Sequence, residues 1–482
     1  MLYEFTINIK RKTTSICMKN YLLLFLLIFP STTYSLSDEL QAEKLSTMFT
    51  NIFLFIRENY VDEDRINSEK LIRGALDGLF EALDDPYSSY IPPDELSDLN
   101  DLTMGEFGGV GLFISSGTGD GVEVISPIEG HPAYKAGVQP GDLIIAIEGE
   151  PATEFDINDV VSKLRGKPGT KVSIEFLRNN SISLKLTLER ALIEVPTVKY
   201  AMIESEIGYL RISQFTRLTP NRVAKALTEL QDTGSTSLII DLRSNPGGLL
   251  SAVVTITDYF LTKGPIVSTR SRLPRENRVY YASRRRTKLP YNYPIIVLID
   301  QGSASASEIL AAALKDTDRA FILGEKSYGK GSVQQIKHFG NSAIKVTTSR
   351  YFTPSGISID ETGVIPHKVV TEPILSKRQE EEIEKLFENR QIRNFVRSDC
   401  CLNEEKINTF ILQLQNSGIS LSKAYLEKLV AAEISRTKLN PPIFNIKYDK
   451  VLQEAVLLMK EGFVLDSSNK RQPTFQSEEY VY

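Results

Sequence analysis

The strongest constraint in the 482-residue chain is an alternation of strand and helix patterns between residues 195 and 370. Apolar runs at Ile207–Ile212, Ser237–Arg243, Ile295–Asp300 and Ala320–Gly324 read as short strands. Helical patterns lie between them. One is capped by Thr219, has Pro220 at its first position and runs to about Asp232; the others are Leu249–Leu261 and Ser305–Lys315. Strands separated by helices pair in parallel through crossovers. Functional groups in such sheets collect just beyond the carboxyl ends of the strands. Asn245-Pro246-Gly247-Gly248 and Gly302-Ser303-Ala304-Ser305 occupy that position. The Arg-rich stretch Gly264–Asn292 is predicted to be a solvated hairpin or lid.

The chemistry is written in two loops. Ser303-Ala304-Ser305-Ala306-Ser307-Glu308 is a small-residue loop entering an Ala-rich helix, and Gly329-Lys330-Gly331-Ser332-Val333-Gln334 puts a Gly-flanked lysine on a turn. A serine at a helix N-terminus sits where the helix dipole favours developing negative charge. Taken alone the stretch is an ordinary small-residue helix start; together with the lysine turn and Asn245-Pro246-Gly247-Gly248 it makes Ser305 the expected nucleophile, with Ser303 and Ser307 as loop and helix-start residues. The N–H of Ala306 and a glycine N–H from Gly247 or Gly248 would form an oxyanion hole, glycine permitting close backbone approach. Lys330 would be the base. Its ordinary pKa of about 10.4 must then fall by roughly 3, which costs the charged form about 4 kcal/mol. Gln334 lies four residues on, an even spacing that puts it on the face of Lys330 in a strand. A phosphate-binding loop is excluded at Gly324 to Lys330, because Gly331 stands where a magnesium-ligating Ser or Thr is required and the following residues are strand-like. His367 is a lone loop histidine and is expected to be structural.

Residues 105–190 change character. Short runs at Val110–Ser115, Val122–Ile125, Leu143–Ile147, Val172–Leu177 and Ile182–Leu188 alternate with Gly, Pro and Asn turns. Gly108-Gly109-Val110-Gly111-Leu112-Phe113, Gly130–Asp142 and Arg165–Thr170 resemble the PDZ family. That resemblance implies a loop whose successive N–H groups (Gly109, Val110, Gly111, Leu112) hold a terminal carboxylate beside an open strand edge. Val160, Val161 and Leu164 on a helix, with Arg165 after it, would line the pocket.

The flanks carry less. Residues 38–104 read as helices without chemistry, suited to packing or oligomer contact, and residues 375–440 as charged helices. An amphipathic helix is expected at 446–463, then a polar tail from 466. Lys10, Arg11, Lys12 and Lys19, the apolar run Tyr21–Phe29 and the small residues Ser31–Ser35 form an export signal, starting at Met1 or Met18. Nine apolar residues are too few for a relaxed membrane span. Composition is ordinary, with 41% hydrophobic and 24% charged residues, and the net charge of −5 argues against nucleic acid. Three cysteines give no disulfide framework; Cys400 and Cys401 are adjacent, either bridged or as two thiols. The three scattered histidines suggest no metal.

Taken together, Leu79–Tyr90, Gly105–Gly111, Gly137–Asp142, Asp241–Gly248, Ser303–Glu308, Gly324–Gln334 and Tyr351–Gly356 resemble the carboxyl-terminal processing (tail-specific) proteases. The resemblance covers about residues 45–370; His367 departs from it, standing where the family usually has Asp. It implies a multidomain α/β chain: a ClpP/crotonase-like protease core with an inserted β-rich PDZ domain and helical N- and C-terminal regions. The divisions would be 1–36 signal, 37–104 helical, 105–190 PDZ, 191–373 protease core, 374–465 helical and 466–482 tail. It further implies an exported, periplasmic serine endopeptidase, free or tethered by an uncleaved signal. Ser305 would act with Lys330 and Gln334 through an acyl-enzyme, without cofactor or metal. The expected partners are protein substrates with free, apolar C-termini, further copies of the chain and an adaptor. A PDZ domain that gates the active site is also implied. The alternative is an inactive PDZ scaffold on the same fold.

Overall fold

The computed structural model describes residues 36–116, 122–178, 181–371, 375–398, 401–439 and 441–461. The expected signal, Cys17, Cys400 and the polar tail lie outside the described residues. The chain divides into two compact units, one ending at Leu79 and one beginning at Phe80.

The first unit holds α1 (Leu36–Asn59) and most of α2 (Ser68–Glu81). The second begins with β1 (Ser89–Ile91) and α3 (Pro93–Met104), so the expected helical region 37–104 is not one piece. The PDZ-like region follows: β2 (Glu106–Gly109), β3 (Leu112–Ser116), β4 (Val122–Pro127), α4 (Pro132–Lys135), β5 (Leu143–Ile147), β6 (Glu150–Pro151), α5 (Ile157–Leu164), β7 (Lys171–Arg178), β8 (Ile182–Glu189) and β9 (Ala191–Glu194). Its sheet runs β3-β4-β5-β7-β8, which leaves β3 at an edge, and β2 pairs separately with β9. Alternate residues of these strands (Val124, Ile144, Ile174, Phe176) fill one core, closed by Val160 and Leu164 of α5. Asp156 caps α5 by accepting the Asp159 N–H.

The central unit comprises β10 (Val198–Met202), β11 (Ile207–Ile212), α6 (Thr219–Asp232), β12 (Ser237–Asp241), α7 (Leu250–Asp258), β13 (Pro265–Ser271), β14 (Arg278–Tyr281), β15 (Ile295–Ile299), α8 (Ala306–Asp316), β16 (Phe321–Gly324), β17 (Ser332–Phe339), β18 (Ser342–Phe352) and β19 (Lys368–Val369). Six strands form one sheet in the order β10-β11-β12-β15-β16-β19; only β10 is antiparallel. Helix α6 starts at Thr219, one position earlier than expected, and Leu218 takes the cap position. The Thr219 hydroxyl accepts the Thr216 N–H instead of capping the helix. The Arg-rich stretch is a hairpin, yet not a solvated one throughout. β13 joins β18, β1, β14 and β17 in a second sheet and buries Ile266 and Val267.

The period-two alternation of the parallel strands gives each face of the six-stranded sheet its own core. Leu210, Leu238, Ile240 and Val297 pack under α6, α7 and α8. Tyr209, Ile239, Ile296 and Leu298 point the other way, where the last helix covers them. The C-terminal region is therefore two things. Helices α9 (Lys377–Glu388), α10 (Gln391–Ser398), α11 (Glu404–Asn416) and α12 (Lys423–Arg436) share a core of their own, and Cys401 lies exposed between them. Helix α13 (Lys450–Lys460) instead lays Val451, Leu452, Ala455 and Val456 on the sheet. Leu452 is fully buried there. Replacing it by Ala should destabilise the protein by about 2–5 kcal/mol, read as a lower denaturant midpoint with an unchanged slope. An unchanged midpoint would mean that α13 does not close this face.

Candidate active site

The carboxyl ends of β12, β15 and β16 release three loops side by side. Asp300, just after β15, organises the first two: it accepts the N–H groups of Ser244 (2.8 Å) and Gly302 (3.0 Å), and its own N–H donates to Ser303 Oγ. Ser303 Oγ donates in turn to the Leu242 carbonyl, and Ser307 Oγ to the Asn245 carbonyl. Both flanking serines are thus loop fasteners, as their positions imply. Ser305 between them is half-buried and sits at φ 56°, ψ −112°, outside the ordinary backbone regions, immediately before α8.

Gly247 (φ 104°) lies against this turn. A Cβ on it would stand 2.8 Å from both the Ala304 carbonyl oxygen and Ser305 Cβ, and 2.9 Å from Ala306 N. Only glycine fits so close an approach. The oxyanion expectation needs one correction. The Gly247 N–H already donates to Asn245 Oδ1 at 2.9 Å, so it is committed to holding the loop. Among the described residues, the N–H groups of Gly248 and Ala306 have no acceptor in the protein, and these two remain candidates for an oxyanion.

Glu308 was part of the motif, but its role was not legible. Its carboxylate is fully buried and accepts four hydrogen bonds: from Ser305 N (2.8 Å), Ser327 Oγ (2.6 Å), Gly329 N (2.7 Å) and Lys330 N (2.9 Å). Burial pushes its pKa up, and the four donors oppose that rise. One side chain thereby ties the serine turn to the lysine turn.

The serine and lysine turns meet at one tyrosine, while the two side chains each rest on a different ring. Tyr351, on β18, lies with its hydroxyl 3.0 Å from Ser305 Oγ and also bonds the Lys330 carbonyl. A phenol has one proton and a carbonyl only accepts, so Tyr351 donates to Lys330 and Ser305 donates to Tyr351. Burial raises the Tyr351 pKa, which keeps it protonated. Lys330 Nζ lies 4.2 Å from the centre of the Tyr87 ring. Burial lowers its pKa, Lys345 lowers it further, and Asp85 opposes both. Asp85 and Tyr87 belong to a segment expected to carry no chemistry. That expectation is corrected: pairing of β1 with β18 brings the segment here, and Ser88 Oγ fixes it by accepting the Thr347 N–H. The signal was present in Leu79–Tyr90, a stretch that shares the family resemblance but to which no role was assigned.

Gln334 does not reach the lysine. Its Nε2 donates to Ser332 Oγ (2.9 Å) and Thr347 Oγ1 (3.2 Å), across the paired strands β17 and β18. Even spacing failed because Lys330 precedes the strand and the two residues do not share one pleat. His367 is structural as expected: its Nδ1 accepts the Ile322 N–H and its ring stacks on Phe321.

In the PDZ-like region the loop between β2 and β3 leaves the Val110 and Gly111 N–H groups without an acceptor among the described residues, next to the edge strand β3 that starts at Leu112; Gly109 is the last residue of β2. The helix positions need correction. Val160 and Leu164 are buried in the domain core, and of the three only Val161 is half-exposed. Arg165 pairs with Asp101 at 3.6 Å and lies over the Phe107 ring.

Replacing Glu308 by Gln keeps its size but removes the charge and puts a donor where four donors converge. It should lower kcat/KM by at least about tenfold, since one charge-assisted bond is worth roughly 1.5–3 kcal/mol. Unchanged kcat/KM on any peptide substrate would show that the two turns hold their register without it.

Comparison with known proteins bears on the whole arrangement. Residues 206–370 match peptidase family S41, residues 123–178 the PDZ domain, and residues 31–94 the activating protease CtpB N-terminal domain. A carboxy-terminal-processing protease of Bartonella bacilliformis is 40% identical over 357 residues, covering 73% of this chain and 81% of that one. A carboxyl-terminal-processing protease of Synechocystis sp. is 36% identical over 328 residues, 67% and 76% of the two chains. The carboxy-terminal processing protease CtpB of Bacillus subtilis is 36% identical over 339 residues, 69% of each. Similarity of this extent runs through the parallel sheet, its loops and the PDZ domain alike, and it makes this chain a serine-type peptidase of family S41, a member of the carboxy-terminal-processing proteases.

Proposed function

We propose that the protein is an exported endopeptidase that holds the free, apolar C-terminus of a protein substrate in its PDZ domain and cleaves upstream with a Ser305–Lys330 dyad. The observation that carries this reading is the Glu308 joint, which keeps a strained serine turn and a half-buried lysine turn in fixed register. Both side chains must first leave their tyrosines, Ser305 from Tyr351 and Lys330 from Tyr87. Neutral Lys330 then takes the hydroxyl proton as Ser305 Oγ attacks the peptide carbonyl. The Gly248 and Ala306 N–H groups receive the oxyanion, and the C–N bond breaks as Lys330 returns the proton to the amine. Water repeats the sequence on the acyl-enzyme. Gln334 serves this site at one remove, by fastening β17 to β18 behind the lysine turn.

The substrate carboxylate would sit on the Val110 and Gly111 N–H groups while the peptide extends along β3. Occupancy of that edge would gate the active site. Export rests on the charged, apolar and small-residue order of residues 10–35. Assembly of several copies is supported by α1, which exposes Leu45, Met48, Phe49, Ile52 and Phe55.

Ser305→Ala and Lys330→Ala should each reduce cleavage of an unfolded substrate by about 10⁴-fold or more. Cleavage by Ser305→Ala at the wild-type rate would sink the mechanism. Amidating the substrate's C-terminus should raise KM with kcat retained, and an unchanged KM would remove the PDZ role. The base must be neutral to act, so kcat/KM should rise with pH along a limb centred below the ordinary lysine value of about 10.4. Asp85 favours the charged amine, so Asp85→Asn should move the limb to lower pH. Lys345 disfavours it, so Lys345→Gln should move the limb to higher pH. Opposite displacements would place the limb on another group.

A further inference from the structure

We infer that Asp449, at the start of the last helix, is a positioning residue for the loop that receives the oxyanion. The inference rests on the mechanism proposed above. Its basis is a guanidinium held from two sides. Arg243 Nε and Nη2 donate to Asp241 at 3.0 and 2.6 Å, while Nη1 and Nη2 donate to Asp449 at 2.8 and 2.7 Å. Asp241 is fully buried and heavily used, because it also accepts Tyr209 Oη (2.7 Å), Arg211 Nη1 (3.2 Å) and the Arg243 N–H (2.9 Å). Burial works against its charge, and the hydrogen bonds and charge of Arg243 outweigh that and hold its pKa low. Asp241 therefore fixes one edge of the guanidinium and has no capacity left for the other. Asp449 supplies the second, two-pronged acceptor from 206 residues away.

What Arg243 carries is the oxyanion loop. The next residue, Ser244, has φ 55°, uncommon for a side chain larger than glycine. Asn245 is fully buried and gives Nδ2 to the Ile212 carbonyl and Oδ1 to the Gly247 N–H. Gly247 and the free Gly248 N–H follow at once. A guanidinium released on one edge lets the backbone at 243–244 relax, and the Gly248 N–H moves with it. The side chain has a second duty that can be separated from the first: Asp449 Oδ1 accepts the Leu452 N–H and caps α13. Asn caps a helix about as well as Asp, but it cannot offer two anionic oxygens to an arginine.

The test uses the full chain with Asp449→Asn, and Asp449→Ser as a second capping variant. Steady-state kinetics, thermal midpoint and the affinity of a peptide boronic acid, whose tetrahedral adduct needs the oxyanion donors, are measured together. Asp449→Asn should keep the thermal midpoint and KM of the wild type, lower kcat by about ten- to a hundredfold and weaken the boronate by a similar factor. Wild-type kcat in either capping variant overturns the inference. A thermal midpoint falling in step with kcat in both variants assigns Asp449 to folding alone, and also overturns it. A wild-type protein that neither cleaves peptides nor reacts at Ser305 with a fluorophosphonate overturns the mechanism itself, and the inference with it.

Discussion

The carboxylate of Glu308 is the interaction on which the site depends. An ion buried without partners costs several kcal/mol, and here every acceptor direction is used by a group that defines the site: the N–H groups of Ser305, Lys330 and Gly329, and the Ser327 hydroxyl. The ladder of parallel strands sets β15 beside β16 but leaves the loops beyond their ends free to vary. Glu308 removes that freedom. It also explains why Ser305 can sit at φ 56°: its N–H, turned out of the helix pattern, is met by the Glu308 carboxyl group. Strain of order 1–3 kcal/mol is tolerable where the surroundings over-determine the conformation.

The same logic runs outward from the site. The sheet's second face must be covered, because a strand with both faces buried leaves half its apolar side chains unmatched otherwise. α13 covers it, and its capping residue, Asp449, is drawn onto Arg243. The Tyr209 hydroxyl on Asp241 and the Phe444 ring against Tyr209 continue the contact. Packing of the last helix and geometry of the oxyanion loop are thus one structural problem with one solution.

What the sequence disclosed followed the range of the forces involved. The strands and helices of the sheet were readable because period-two and period-3.6 patterns are local; β11 and β5 begin and end where expected. Ser305 and Lys330 stood out because their chemistry imposes small or glycine neighbours. Long-range consequences were not readable. Nothing local says that Asp85-Pro86-Tyr87 would be carried to the lysine by pairing of β1 with β18, or that Asp449 would meet Arg243. Gln334 shows the limit of periodicity, which holds inside a strand and not across the turn before it. Val160 and Leu164 show another limit. A helical apolar stripe marks the buried face, and here that face packs into the domain core.

The two tyrosine contacts give the gating proposal a scale. A cation over an aromatic ring is worth about 0.5–2 kcal/mol, and a neutral hydrogen bond contributes about 0.5–1.5 kcal/mol net. Undoing both therefore asks for roughly 1–3.5 kcal/mol, less whatever the Ser305–Lys330 bond returns. A peptide held at the PDZ edge with micromolar affinity has about 8 kcal/mol of binding free energy, but only the part that differs between the two arrangements can shift their populations. A difference of 1.4 kcal/mol already changes the ratio tenfold. On the proposed mechanism, the free energy of assembling the dyad is small enough for a modest preference of the bound peptide to offset. Strong binding alone would not gate the enzyme; what matters is that β3 and the lysine turn be linked so that the peptide favours one arrangement.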